Sequence, residues 1–258
     1  MSHEKDNISP PIFEKKPGKL FGKTTCGIGC FVVLLIGIIL LIPAIQAARE
    51  AARCMQCGCG CVKLAFYNYH DAYGAFPPAY TTDNDGKPLH SWRVLLLPYL
   101  EQQTLYSQIR LDEPWNSEHN KQFHNMRPGL YGCPSDFGPK DDYHTNYLRI
   151  TGPGTLTDGP NTVSLKQLAY TSTTILYVES TRLVCWMAPE DLDIVKDSLE
   201  IRCHSDDPRV GIGSRHQNMV WICMADSSRF LVSDKTPETF IQAAALRKWK
   251  KESDTNEK

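Results

Sequence analysis

Residues 24–48 read TTCGIGCFVVLLIGIILLIPAIQAA, an uncharged stretch between Lys23 and Arg49. Its apolar centre, FVVLLIGIILL, lies at residues 31–41. The apolar part of the stretch approaches the length of about 20 residues with which a helix crosses a bilayer. We therefore predict one transmembrane helix over residues 24–48. A cleaved signal peptide is the alternative, because residues 45–47 resemble a small-residue cleavage site. The long polar N-terminal segment favours a retained anchor.

The charges on either side of this span predict its orientation. Lysine and arginine are enriched on the cytoplasmic side of membrane proteins. They are denser before the span than just beyond it: Lys5, Lys15, Lys16, Lys19 and Lys23 precede it, whereas Arg49, Arg53 and Lys63 follow it. We therefore expect the N-terminus to be cytoplasmic, the body to be extracytoplasmic and the lipid bilayer to be a partner.

The chain is expected to have four parts. Residues 1–23 read as a disordered cytoplasmic tail, 24–48 as the transmembrane helix, 49–250 as one folded body and 251–258 as a disordered C-terminal tail. The body is long enough to bury a hydrophobic core. The net charge of −1 argues against a nucleic-acid-binding surface, which needs a basic excess.

The pattern of the body predicts an α+β fold, with a long N-terminal helix packed on an antiparallel β-sheet. The helix is predicted to run from about residue 28 to Tyr73, with Gly74 ending it. A second helix is predicted over residues 91–108, broken near Pro98, and a last one from the cap Thr236 to about residue 250. Strands are predicted at residues 173–179, 183–187, 220–224 and 229–232, the last two joined by a turn.

Several blocks of this sequence resemble a bacterial pilin-like family called domain of unknown function 1559. The blocks are IPAIQAAREAARCMQC (42–57), NYHDAYGAFPPAY (68–80), SWRVLLLPYLEQQTLY (91–106), CPSD (133–136), TNYLRITGPGT (145–155) and WMAPEDL (186–192). The C-terminal signature of the family is a histidine, nine residues, and then Asp-Gly. His216 and Asp226 have that spacing, although Ser227 replaces the glycine.

The resemblance implies a fold and a location. Members are similar to type IV pilins and to the pseudopilins of type II secretion, in which an anchor helix continues into a helix packed on an antiparallel sheet. The resemblance implies no reaction. The prepilin peptidase motif is absent here, because the span begins with TTCGI at residues 24–28. Processing and assembly into a filament are therefore not implied.

The stretch CMQCGCGC holds the candidate metal ligands Cys54, Cys57, Cys59 and Cys61, where the family usually shows one cysteine near Cys57. Four thiolates could hold zinc or another soft metal, the only cofactor that the sequence suggests. On a continuous helix, however, Cys59 points away from the face that the other three share. Small helix-face residues, some of them in disulfides, are the alternative.

Disulfides can persist on the predicted outer side of the membrane. The resemblance places a cysteine at Cys133, so that a bridge to Cys57 would tie its loop to the long helix. Cys185 and Cys203 flank an acidic loop and could pair across its base. The sequence leaves other connectivities open.

No motif in the chain points to an enzyme, since G-x-S-x-G, G-x-x-x-x-G-K-[ST] and H-E-x-x-H are all absent. His216 and Asp226 flank a predicted strand, so we expect separate structural roles, with Asp226 fixing the turn. We predict a pilin-like envelope protein with a structural or interaction role. Its partners would be envelope proteins or pilin-like subunits. A membrane-tethered metal or thiol-redox protein using Cys54 to Cys61 is the second hypothesis, and a hydrolase using His216 is the third.

Overall fold

The computed structural model describes residues 42, 59–133, 143–203, 211–214 and 220–246. Contacts divide the chain into two units, Met1–Arg49 and Glu50–Lys258, and the description below concerns the second. The predicted tails and all but one residue of the predicted span, together with Cys54, Cys57 and His216, lie outside the described residues. Within the described ranges, none of the helices is both long and apolar enough to span a bilayer.

Helix α1, Cys59–Tyr73, is the first element among the described residues of the body. It ends where the sequence predicts, because Gly74 takes a left-handed φ of 75°. The Gly74 N–H donates to the carbonyl of His70 at 2.7 Å, which closes the last turn. Val62, Ala65 and Phe66 are fully buried, whereas Leu64 on the other face is exposed. The helix therefore packs against the core of the body through one apolar face.

A hairpin of β1, Tyr80–Thr82, and β2, Pro88–Ser91, follows α1. The predicted helix over residues 91–108 is in fact three short pieces: α2, Trp92–Leu95, a 3-10 turn, Leu97–Leu100, and α3, Gln103–Gln108. The break lies near Pro98 as predicted, since proline donates no hydrogen bond to a preceding turn.

A four-stranded antiparallel sheet forms the centre of the body, in the order β10-β9-β5-β3. Its strands are β3, His144–Leu148, β5, Ile175–Cys185, β9, Val220–Met224, and β10, Arg229–Val232. The last two agree with the prediction. The two strands predicted at residues 173–179 and 183–187 are instead the single strand β5.

Shorter strands form two parallel pairs beside this sheet. β4, Ile150–Thr151, pairs with β6, Leu192–Asp193, and β7, Ile201–Cys203, pairs with β8, Ile212–Ser214. Helix α4, Glu238–Ala245, follows β10. It begins after Pro237 and ends five residues before the predicted end, because Leu246 is extended and bridges to Thr155.

Strands β3, β5 and β9 of the sheet are buried on both faces, whereas β10 is exposed over three of its four residues. On one face, Tyr147, Tyr177 and Cys223 belong to the core that contains α1, α2 and the 3-10 turn. On the other face, Leu148, Val178 and Ile222 belong to the core beneath α4. The mixed α+β architecture, with a helix packed near an antiparallel sheet, is thereby confirmed. Strand β9 is buried at every position except the half-buried Trp221.

Candidate functional site

The turn between β9 and β10 is the candidate functional site, because it carries the signature residue Asp226 and receives helix α1. The Asp226 carboxylate accepts from the Ser228 N–H at 2.8 Å and from the Ser228 hydroxyl at 2.5 Å. The Met224 N–H donates to the Ser228 carbonyl at 3.0 Å. The Asp226 side chain therefore stabilises the reversal of the chain by accepting from the backbone N–H two residues further on.

Helix α1 is hydrogen-bonded to this turn by two side chains one helical turn apart. The Lys63 ammonium donates to the carbonyl of Ser227 at 2.8 Å. The Tyr67 hydroxyl donates to the carbonyl of Ala225. We call these contacts the helix–turn junction, formed by Lys63, Tyr67 and residues 225–228. The junction orients α1 on the sheet through backbone carbonyls that the turn exposes.

Phe66 supports the junction from the core. Its ring centroid lies 5.0 Å from that of Trp92 and 5.9 Å from that of Tyr177, and it meets Phe76 edge-on at 6.3 Å. Such aromatic pairs contribute about 0.5–1.5 kcal/mol each beyond their buried area. Helix α1 is therefore held by a rigid aromatic cluster as well as by hydrogen bonds.

Ser227 explains the glycine of the family signature. Its φ is 71°, in the left-handed region that glycine adopts without strain. An L-residue in this region costs roughly 1–2 kcal/mol. The chain therefore tolerates a strained serine where the signature has glycine.

The turn yields a first testable prediction. Ser227→Gly is expected to raise the free energy of unfolding by up to about 1 kcal/mol, because it relieves the strain at the left-handed φ. Asp226→Ala is expected to lower it by about 1 kcal/mol, because the Ser228 N–H loses its acceptor. Thermal unfolding of the full chain in detergent, followed by circular dichroism, measures both. Ser227→Ala is the control and should bring no gain; a loss in Ser227→Gly would contradict the prediction.

A buried charge centre lies close to the same core. The Arg93 guanidinium donates to the Asp191 carboxylate at 2.9 Å, and the side chains of both are almost completely buried. The same carboxylate oxygen accepts from the Trp92 indole N–H at 3.2 Å and from the Arg149 backbone N–H at 2.9 Å. Asp191 thus connects three segments that are distant in the sequence.

Arg149 is the second cation of this centre. Its Nη1 donates to the Pro77 carbonyl at 2.7 Å, and its guanidinium lies 5.2 Å from the centroid of Phe66. Its Nε and Nη2 are buried without a hydrogen-bond partner among the described residues. Burial lowers the pKa of both guanidiniums and raises that of Asp191, since desolvation disfavours each charged form. The centre therefore holds the chain segments around Arg93, Arg149 and Asp191 together beneath α1.

An apolar pocket lies on the opposite face of the sheet, between α4 and strands β5, β9 and β10. Its walls include Ile175, Ile222, Met224, Phe230, Phe240 and Ala244. Ser172 and Thr173 add hydroxyl groups to these otherwise apolar walls, which can receive an apolar side chain.

One of the two predicted cysteine pairs lies within the described residues. Cys185 and Cys203 do not form the predicted disulfide: both are free thiols, Cys185 at the end of β5 in the first core and Cys203 in β7. The Cys203 N–H donates to Asp234 at 2.7 Å, which fixes it beside a different partner. Cys133 is buried, and its predicted partner Cys57 lies outside the described residues.

The proposed metal ligands are only partly visible. Cys61 is exposed on α1, whereas Cys54, Cys57 and the side chain of Cys59 lie outside what the structure describes. Among the described residues, no group of three or more histidine, cysteine or acidic side chains is arranged to hold a metal ion. Zinc binding by the cluster therefore stays a prediction, as does the role of His216.

Thiol reactivity gives a second prediction. Burial and the Asp234 carboxylate raise the pKa of Cys203 to about 12. At pH 8 its thiolate fraction is then about a thousandfold below that of an unperturbed thiol. We expect iodoacetamide to alkylate the exposed Cys61 at least about a hundredfold faster than Cys203. Peptide mass spectrometry over time measures the two rates.

The same labelling in guanidinium chloride is its control, and there all accessible cysteines should react at similar rates. Cys223 provides a second comparison in the folded protein, since burial raises its pKa to about 11. Equal rates at Cys61 and Cys203 in the folded chain would contradict the described environments.

Arg93, Arg149 and Asp191 lie in separate blocks of the sequence, and no local pattern joins them into one centre. A usable signal was that both arginines stand among apolar residues, in SWRVLLL and YLRI. Charged residues in such surroundings are almost never buried without a partner. That signal could have suggested a buried acid, but not which one.

The family comparison finds a match over residues 46–202 to a model described as "Protein of unknown function (DUF1559)". The match covers helix α1, the charge centre and strands β1 to β6, and it ends within β7. No curated protein and no solved structure matches the chain significantly.

Proposed function

The chain belongs to the DUF1559 family of proteins of unknown function, and from that premise we propose that it is a single-pass, pilin-like protein of the cell envelope. Its N-terminus would be cytoplasmic, and its α+β body would act outside the membrane as a structural or interaction module. The proposal assigns no reaction to the chain. Its partners would be the lipid bilayer and other envelope proteins or pilin-like subunits.

The helix–turn junction is the observation that carries this proposal. Helix α1 follows the apolar stretch of residues 24–48 in the sequence and is held on the sheet by Lys63, Tyr67 and the buried Phe66. A body that only needed a flexible tether would not require a helix fixed at both its surface and its core. Fixed docking suits a protein that must present its body in a defined orientation.

The composition of the charge centre supports a structural role. Arg93 and Asp191 form hydrogen bonds with each other, and they also bond Ser91 and backbone groups within the core. Buried ion pairs of this kind hold one arrangement of the chain, because removing either partner leaves an uncompensated charge.

Membrane topology tests the proposal and is a third prediction. The full chain with a C-terminal epitope tag is produced in a bacterium, and protease is added to intact spheroplasts. We expect the body and tag to be digested while the Lys-rich N-terminal peptide is protected. The protein should also stay in the membrane after washing with alkaline carbonate.

A double substitution, Ile36→Lys with Ile39→Lys, is the control for this experiment. Each lysine at the centre of a transmembrane helix costs about 2.5–3.5 kcal/mol of insertion free energy. The variant should therefore leave the membrane fraction. A body protected in intact spheroplasts would refute the proposed location.

A further inference from the structure

Four tyrosines come together at the C-terminal end of α1. Tyr69 and Tyr73 belong to α1, Tyr99 to the 3-10 turn and Tyr106 to α3. The ring centroid of Tyr69 lies 4.4 Å from that of Tyr73 and 5.9 Å from that of Tyr99, with the latter pair edge-to-face. Tyr106 packs against the same core as Tyr69 and Tyr99. We call these four residues the tyrosine patch.

The patch is both accessible and rigid. Tyr73 is 66% exposed. Tyr69, Tyr99 and Tyr106 are half-buried and pack against the core that contains Phe66 and Trp92. Three short elements therefore present the rings from a fixed base. Rigid aromatic side chains bind partners at a low cost in conformational entropy.

The patch is electrically neutral. Burial raises the pKa of Tyr69 to about 12, and the neighbouring tyrosines add to the shift. Burial also raises the pKa of Tyr99 and of Tyr106, again with other tyrosines as the further causes. These hydroxyls therefore stay protonated at physiological pH. Each phenol can then both donate and accept a hydrogen bond.

We propose that the tyrosine patch binds a neutral oligosaccharide. The C–H groups on one face of a sugar ring carry partial positive charge and match the negative face of an aromatic ring. The sugar hydroxyls, like the phenols, both donate and accept hydrogen bonds. Neither partner carries a net charge, so binding desolvates no ion. The access of the patch to glycans outside the cell rests on the proposed function.

A polyproline helix is the main competing partner, since it also docks on aromatic surfaces. Its backbone offers acceptors only, because proline has no N–H. Four clustered phenols that donate and accept are better matched by a partner with both kinds of group. The hydrogen-bonding groups of the four phenols thus favour the sugar over the polyproline helix.

Isothermal titration calorimetry of the full chain tests the proposal, with cellohexaose, chitohexaose and maltohexaose as probes and a proline decamer as the competing probe. The protein is kept in a zwitterionic detergent without a sugar head group. We expect at least one hexasaccharide to bind and the decamer not to bind. Tyr73→Ala and Tyr99→Ala should each weaken binding about tenfold, as loss of one aromatic contact predicts.

Tyr170→Ala, which removes a partly exposed tyrosine elsewhere, should leave sugar binding unchanged, and thermal unfolding verifies that every variant is folded. Binding of the decamer alone, binding of no probe, or equal affinity in the Tyr73→Ala and Tyr99→Ala variants would overturn the proposal. The spheroplast experiment reports separately on location. A failure of sugar binding is therefore distinguishable from a failure of the proposed function.

Discussion

Phe66→Ala is expected to lower the free energy of unfolding by about 3–5 kcal/mol, the usual cost of deleting a buried aromatic ring. Phe66 is fully buried and contacts Phe76, Trp92 and Tyr177. The substitution leaves a cavity between α1 and the sheet. For a body of this size the midpoint of thermal unfolding should fall by roughly 6–20 °C. Circular dichroism of the full chain in detergent measures the midpoint.

Leu64→Ala is the matched control, since Leu64 is on the same helix but 59% exposed. It should change the free energy by no more than about 0.5 kcal/mol. Limited proteolysis adds a local readout, because Phe66→Ala should expose α1 to cleavage before the sheet unfolds. Equal effects of the two substitutions would show that α1 is not held by its buried stripe.

Asp191→Asn is the second substitution for which we expect a large effect. It keeps the shape of the side chain but removes the one negative charge that Arg93 and Arg149 face in the buried centre. Breaking a buried ion pair from one side costs about 3–5 kcal/mol, because the remaining charge stays buried without compensation. Thermal unfolding should therefore show a loss comparable to that of Phe66→Ala.

Asp85→Asn serves as the control, since Asp85 forms an exposed pair with Lys87 at 3.9 Å. Exposed pairs contribute about 0–1 kcal/mol, so little change is expected. A triple replacement, Asp191→Leu with Arg93→Met and Arg149→Met, separates charge from shape: apolar residues of similar volume should recover part of the loss. If Asp191→Asn lowered the free energy of unfolding by less than about 1 kcal/mol, this would argue against a stabilising role of the charge centre.

Local patterns in the sequence were sufficient for the elements whose stability is local. Strands β9 and β10 and the turn at Asp226 were predicted with their bounds, because alternating or continuous apolar residues flank a turn-forming Asp-Ser-Ser. The end of α1 was also predicted, since glycine and prolines can be recognised as helix stops.

Long-range partners explain what the sequence did not predict. β5 continues through Ser180 and Arg182, which resembled a break. These two polar side chains make tertiary contacts instead. The Ser180 hydroxyl donates to the Gly211 carbonyl at 2.5 Å, and the Arg182 guanidinium donates to the Asp197 carboxylate at 3.1 Å. No pattern within β5 identifies these partners.

The charge centre and the tyrosine patch were missed for the same reason. Arg93 and Asp191 are 98 positions apart, and the tyrosines come from three separate elements. Single-sequence periodicity assigns each residue to a face of its own helix or strand, but it does not say which faces meet. The predicted Cys185–Cys203 pair failed likewise, because nearness in the sequence did not place the two thiols together.

The helix–turn junction also has a mechanical consequence. A force that pulls α1 along its axis would load the bonds from Lys63 and Tyr67 to the turn together with the packing of Phe66. These contacts share the load, whereas β10, which pairs only with β9 in the described part of the chain, could be peeled from its edge one bond at a time. Tension transmitted through α1 would therefore be resisted most strongly at the helix–turn junction. The body would unfold first at the edge strand β10.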